Sequence, residues 1–112
     1  MKKKDIVKSN ELFNSIINKG KRNANKYFVL CSEKNTNNEL KFGIAVGKKV
    51  GNAVIRNKIK RQIRNIIDKN VRLFSNSNYY IIICKKEVLS LEFKDMENEL
   101  FKLINKGENN EK

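Results

Sequence analysis

The chain has 112 residues, 25 Lys or Arg against 12 Asp or Glu, and no His, Trp or Pro, so its formal net charge is +13. That length accommodates one domain and leaves no room for a second sizeable core. Without His, the chemistries of Ser-His, Cys-His and His-zinc sites are excluded, and catalysis by the protein would rest on carboxylates, Lys or Tyr.

The start, Met1-Lys2-Lys3-Lys4-Asp5, meets only Ile6 and Val7 before Lys8, which predicts no signal-peptide core. No stretch reaches the length of a membrane span. Ser9 reads as the N-cap of a short amphipathic helix over 10–19 that carries Leu12, Phe13, Ile16 and Ile17, with Gly20 as its stop. The β-branched and aromatic run Tyr27-Phe28-Val29-Leu30-Cys31 predicts a strand, and the polar run from Lys34 to Glu39 a turn. A second strand over 40–47 puts Leu40, Phe42, Ile44 and Val46 on a core face and leaves Lys41, Gly43, Ala45 and Gly47 on a nearly bare one. After the basic turn Lys48-Lys49-Val50-Gly51, Asn52 is the expected N-cap of a helix from Ala53 to about Lys69. Ile55, Ile59, Ile63, Ile66 and Ile67 form its apolar stripe, while Arg56, Asn57, Lys60, Arg61 and Arg64 are expected on the opposite side. Ser75 to Asn78 break the chain, and the continuous apolar run from Tyr79 to Cys84 predicts a strand buried on both faces. Ser90 is the expected cap of a last helix with Phe93, Met96, Leu100, Leu103 and Ile104 on one face, and the residues after Gly107 are expected to form a disordered tail. These elements describe an α+β domain, one small sheet with helices packed on it. Strand 40–47, helix 53–69 and strand 79–84 form a βαβ unit, which the general rule makes right-handed. Cys31 and Cys84 each sit in an apolar run and read as reduced, buried thiols of a cytoplasmic protein.

The charge is unevenly spread. Residues 41–72 hold ten basic residues against Asp68 alone, a net +9, and residues 1–26 add +6; the rest is slightly acidic. No acid falls between Glu39 and Asp68. Like charges four apart on a helix, as at Arg56 with Lys60 and Lys60 with Arg64, cost stability in an ordinary solvated face. A polyanion turns that repulsion into binding, and nucleic acid ranks above a membrane surface because no broad insertion face accompanies the charge. The sparse face of Gly43, Ala45 and Gly47, continued by Tyr27, Val29 and Cys31, suits a single RNA strand, with Phe13 and Tyr27 available for stacking. The competing reading is that the first helix lies over this face and fills it; both hold if a groove remains between helix and sheet. A ribosomal-type RNA-binding protein is an alternative. A protein-only metal nuclease fits poorly, because Asp5, Asp68 and Asp95 are scattered.

The segment from Gly43 to Arg64, with Lys48-Lys49-Val50-Gly51-Asn52-Ala53-Val54-Ile55-Arg56-Asn57-Lys58-Ile59-Lys60-Arg61, resembles the signature region of the bacterial ribonuclease P protein subunit family. Phe13, Gly20, Asn25, Phe28 and the strand Tyr80 to Ile83 are also similar in type and spacing. The resemblance implies one RNA-binding domain over 1–107, with 108–112 as a tail. It implies the element order α-β-β-β-α-β-α, with a further short strand and a left-handed βαβ crossover. It further implies a cytoplasmic partner of a catalytic RNA, monomeric and one per RNA, that assists Mg²⁺-dependent endonucleolytic removal of the 5′ leader from precursor tRNA. The metal would be held mainly by the RNA partner and substrate phosphates, and the protein would have no catalytic residue. Carried over by position, Lys48, Lys49, Arg56, Asn57, Lys58, Lys60, Arg61 and Arg64 would contact RNA, and Phe13, Ile17, Tyr27, Val29, Cys31 and Ala45 would line the leader cleft. Lys58 stands where the signature commonly has Arg, which keeps the charge but loses bidentate phosphate geometry. Ile17 and Cys31 stand where the family commonly has aromatics, so more of any stacking falls to Phe13.

Overall fold

The computed structural model describes residues 6–110, with side chains described as far as Asn105. Ser9 accepts the Leu12 N–H on its hydroxyl at 3.2 Å and opens helix α1, Asn10–Lys19, as its sequence predicts. The helix ends at Gly20, whose N–H donates to Ile16 O at 2.9 Å. Gly20 has an ordinary φ of −73°. Glycine is required there by close approach, since a Cβ would meet the Ser32 carbonyl of a neighbouring strand.

The remaining elements are β1 (Lys21–Ala24), β2 (Phe28–Lys34), β3 (Lys41–Val46), α2 (Ala53–Lys69), β4 (Asn78–Cys84) and α3 (Phe93–Asn110), with short 3₁₀ turns at Val71–Leu73 and Lys86–Ser90. They form one sheet in the order β1-β2-β4-β3, in which β3 and β4 run parallel and the other neighbours antiparallel. The expected βαβ unit is therefore present, with α2 as its crossover. Strand β1 is the short strand that the family resemblance implied; its residues, Lys-Arg-Asn-Ala, carry no apolar alternation by which to find it. Strand β2 runs three residues past the apolar stretch because Ser32, Glu33 and Lys34 pair with Tyr80, Tyr79 and Asn78, a pairing made by backbone and indifferent to side-chain polarity.

The two faces of the sheet carry separate cores. Phe28, Leu30, Phe42, Val46, Tyr80, Ile82 and Cys84 pack with Ile59, Ile63, Ile66 and Ile67 of α2 and Met96, Leu100, Leu103 and Ile104 of α3. Within this layer Phe74 meets Phe42 and Tyr80 edge-on, at centroid distances of 4.8 and 5.0 Å. On the other face Ile16 of α1 joins Val7, Cys31, Tyr79 and Ile81 in a smaller cluster. Strand β4 is thus covered on both sides, as its unbroken apolar run predicts.

Two expectations are corrected. Ser90 does not cap the last helix: its hydroxyl donates to Glu87 O at 2.8 Å within the 3₁₀ turn, and α3 starts at Phe93 with the Met96 N–H on the Glu92 carbonyl. Ile55, at the head of the α2 stripe, is exposed, at the rim of a recess that it borders with Ile59, Val88 and Leu89. The backbone of α3 continues past Gly107 to Asn110; side chains of the expected tail and residues 111–112 lie outside the described residues. No helix of the described residues is long and apolar enough to cross a membrane.

Candidate nucleic-acid interface

The basic residues are displayed by a helix whose start is fixed locally. Asn52 Oδ1 accepts the Ile55 N–H at 3.0 Å, and the Arg56 N–H donates to Asn52 O at 2.9 Å. The turn before it closes through Val50 N–H on Gly47 O at 3.0 Å; Val50 is buried and Lys48 and Lys49 are left exposed. Ile59, Ile63, Ile66 and Ile67 anchor α2 to the main core, which sets the rotation of the whole helix.

That rotation divides the signature residues into three groups. Asn57, Arg61 and Arg64 are exposed, with Lys60 half-buried at their edge. Lys58 lies on the other flank, beside Ile55, Gln62 and Leu89. Arg56 does not share the outer face. It precedes Ile59 by three and Ile63 by seven residues, which places it on the core side of the helix, where its side chain is half-buried and its Nε is buried without a hydrogen-bond partner. Ion pairs of Lys41 with Glu39 at 3.9 Å and Lys102 with Glu99 at 3.4 Å lie off this face.

The groove between α1 and the sheet is partly filled. Cys31 is fully buried with Ile16 and Ile81, so it is a floor residue beneath the helix and not an accessible lining. Phe13, Ile17 and Val29 are half-buried around this cluster, and Ala45 is half-buried on β3. Tyr27 precedes β2 and packs against the larger core, apart from Phe13 and Ile17. Its position is fixed by Asn25, whose Oδ1 accepts the N–H groups of Tyr27 (2.9 Å) and Phe28 (2.8 Å) and whose Nδ2 donates to Glu99 O at 3.3 Å. Gly43 is the floor that lets Phe13 sit against β3: a Cβ there would lie 3.0 Å from the Phe13 ring and 2.6 Å from Ile81 Cδ1.

The two parts of the interface meet. A cavity of about 110 Å³ is bordered by Phe13 and Gly43 on one side and by Lys60 and Arg64 on the other, with Ile6, Val7, Phe42 and Ile44 between them. A second recess, of about 660 Å³, gathers Lys48, Lys49, Lys85 and Lys86 at the end of β3 and β4. Lys85 and Lys86 were not singled out by sequence, since a Lys pair after a strand has no periodic signal. Lys85 is tied down, with its Nζ donating to Asn25 O at 2.6 Å. Among the described residues no three of His, Cys, Asp or Glu converge as metal ligands. Burial pushes the Cys84 thiol up to about 12, so it is neither a nucleophile nor a ligand near neutral pH.

Comparison with known proteins gives the family. The family model described as Ribonuclease P matches residues 1–108. The ribonuclease P protein component of Mycoplasma capricolum subsp. capricolum is 46% identical over 105 residues, covering 93% of this chain and 96% of the relative. The solved RNase P protein of Staphylococcus aureus superposes with a TM-score of 0.86 at 31% identity, over 92% of this chain and 94% of that one. The RNase P protein of Thermotoga maritima superposes with a TM-score of 0.77 at 30% identity, over 84% and 89%. A basic helix beside a half-filled groove, matched in sequence and in fold over nearly its whole length, places this chain in the bacterial ribonuclease P protein component family.

Proposed function

We propose that this chain is the protein subunit of the ribonuclease P ribonucleoprotein and assists removal of the 5′ leader from precursor tRNA. The observation that carries this reading is the cavity at which Phe13 of α1 and Lys60 and Arg64 of α2 meet, because it joins a surface for stacking to a surface for phosphates. Lys48, Lys49, Asn57, Lys58, Lys60, Arg61 and Arg64 contact the catalytic RNA and adjacent substrate phosphates. Phe13, Ile17, Val29 and Ala45 border the path of the single-stranded leader, with Tyr27 at its end; Cys31 supports that path from below.

Mg²⁺ keeps several waters and is commonly held by one or two carboxylates together with substrate phosphates. This reading assigns the hydrolytic step to the RNA partner, with the metal held mainly by that RNA and by the substrate phosphates. The chain's contribution is binding energy: cations neutralise phosphates brought close together on folding of the complex, and leader contacts favour precursor over product.

Reconstitution tests the reading. With a catalytic RNA of the ribonuclease P type, adding this chain is expected to raise precursor tRNA cleavage at low Mg²⁺, and affinity is expected to grow with leader length while mature tRNA gains nothing. Affinity indifferent to the leader refutes the assignment.

A further inference from the structure

The turn from β1 into β2, Ala24-Asn25-Lys26-Tyr27, contains neither Gly nor Pro, so its shape comes from hydrogen bonds. Lys85, the residue after β4, supplies two of them from outside the turn. Its N–H donates to Tyr27 O at 2.9 Å and its Nζ to Asn25 O at 2.6 Å, so one residue holds both carbonyls. Asn25 works from within: its Oδ1 accepts the N–H groups of Tyr27 and Phe28 at 2.9 and 2.8 Å, and its own N–H donates to Phe28 O at 3.0 Å. The Asn25 Nδ2 donates to Glu99 O at 3.3 Å, which ties the turn to α3. Both backbone groups of Tyr27 are therefore fixed. Its half-buried side chain packs on the larger core, with Lys26 Nζ 5.9 Å from the ring centroid.

Lys85 borders the same recess as Lys48, Lys49 and Lys86, and residue type alone would group all four as phosphate contacts. Their surroundings separate them. Lys48, Lys49 and Lys86 are exposed, whereas Lys85 is half-buried with its ammonium on a carbonyl. Moving that ammonium to a phosphate would release the Asn25 carbonyl and loosen the turn that carries Tyr27. An aromatic side chain held in place before binding loses less freedom when a base stacks on it. The geometry points to Lys85 and Asn25 as positioning residues: they clamp Tyr27 as the far end of the leader path and so set the leader length to which affinity responds. Phosphate contact in this recess falls to the three exposed lysines. The inference rests on the leader-binding reading and adds to it a pair of residues that act through Tyr27.

The test uses the holoenzyme reconstituted with a catalytic RNA of the ribonuclease P type and precursor tRNAs whose leaders lengthen one nucleotide at a time. Lys85→Met is expected to lower affinity for the longest leaders about fivefold, the equivalent of one stacked base. Its affinity is expected to level off at a shorter leader than in the parent, with the slope of log K against log salt unchanged. Lys85→Arg, which keeps a donor for the Asn25 carbonyl, is expected to retain the parent's affinity. Tyr27→Ala is expected to reproduce the Lys85→Met loss, and the double variant to lose no more than either alone. A slope lower by about 0.7 to 0.9 units in Lys85→Met makes this lysine a phosphate contact and overturns the clamp. A loss in the double variant equal to the sum of the single losses does the same. In the free chain, hydrogen exchange at the Tyr27 and Phe28 amides is expected to quicken in Lys85→Met while Ile81 and Ile82 stay protected. Should Ile81 and Ile82 lose protection as well, the fold has failed and Asn25→Ala carries the same comparison with Tyr27→Ala. Leader dependence unchanged in a folded Lys85→Met overturns the clamp and leaves the subunit assignment standing, whereas an unmodified chain indifferent to leader length refutes the assignment and the clamp with it.

Discussion

Arg61 and Arg64 stand exposed on the outer face of α2, Arg64 at the mouth of the cavity beside Phe13, while Arg56 is turned toward the core. Replacing Arg61 and Arg64 together with Ala is expected to flatten the slope of log K against log salt by about 1.5 to 2 units, as the loss of the two proposed phosphate contacts requires; an unchanged slope in a salt titration would refute their role. Phe13→Ala is expected to lower the preference for long-leader precursors several-fold with little change in affinity for the catalytic RNA, as direct binding to each would show. Cys84 makes a separate prediction. Its thiol, ordinarily at 9.0, is raised by burial to about 12, so the stability linked to keeping it neutral is complete below about pH 9 and is lost as pH climbs from there toward 12. Denaturant midpoints are expected to fall across that window, by less in Cys84→Ala once its own cavity cost is subtracted. At this scale the sequence was informative about placement: Asn57, Arg61 and Arg64 stand exposed on α2 as expected, and Phe13 lies against the bare face of β3 at Gly43. It misled for Cys31 and Arg56, because burial beneath Ile16 and the rotation of α2 are set by packing partners far along the chain.

Helix α2 is the element with the greatest internal conflict. Its first turn contains no acid, and the positive end of its dipole faces Arg56 and the following cations. The Asn52 cap and the four buried isoleucines are what oppose that repulsion. Asn52→Ala is expected to cost about 1 kcal/mol in urea unfolding. RNA is expected to stabilise variant and parent by the same increment, set by its concentration relative to the dissociation constant of the folded chain. The periodicity of α1, α2 and β4 was legible because each buries a regular stripe or run. Strand β1 was not, since it pairs with β2 along Lys-Arg-Asn-Ala, a stretch with no apolar alternation. The start of α3 was misplaced because a serine side chain satisfies a nearby carbonyl as readily as it caps a helix, and Ser90 does the former.

Over the whole molecule, a net charge of +13 is carried by a chain of 112 residues whose acids are few and mostly remote from the basic helix. Self-repulsion of this size opposes the compact state. Added NaCl is therefore expected to raise the melting temperature of the free chain while the screening length falls from about 30 to about 10 Å, and over the same range to weaken RNA binding. Opposite salt responses, read by thermal denaturation and by filter binding, are the signature of charge kept for a partner at the expense of the free fold. The order of strands has a further consequence, for synthesis on the ribosome. The central strand β4 is the last to be translated, so β1 and β2 cannot join β3 in one sheet until residues 78–84 leave the exit tunnel. Until then the basic helix has neither its core nor its sheet, and the nascent chain is a cationic, unfolded polymer emerging beside ribosomal RNA. Folding and the first choice between specific and adventitious RNA contacts are thereby delayed together until well over three quarters of the chain has been made.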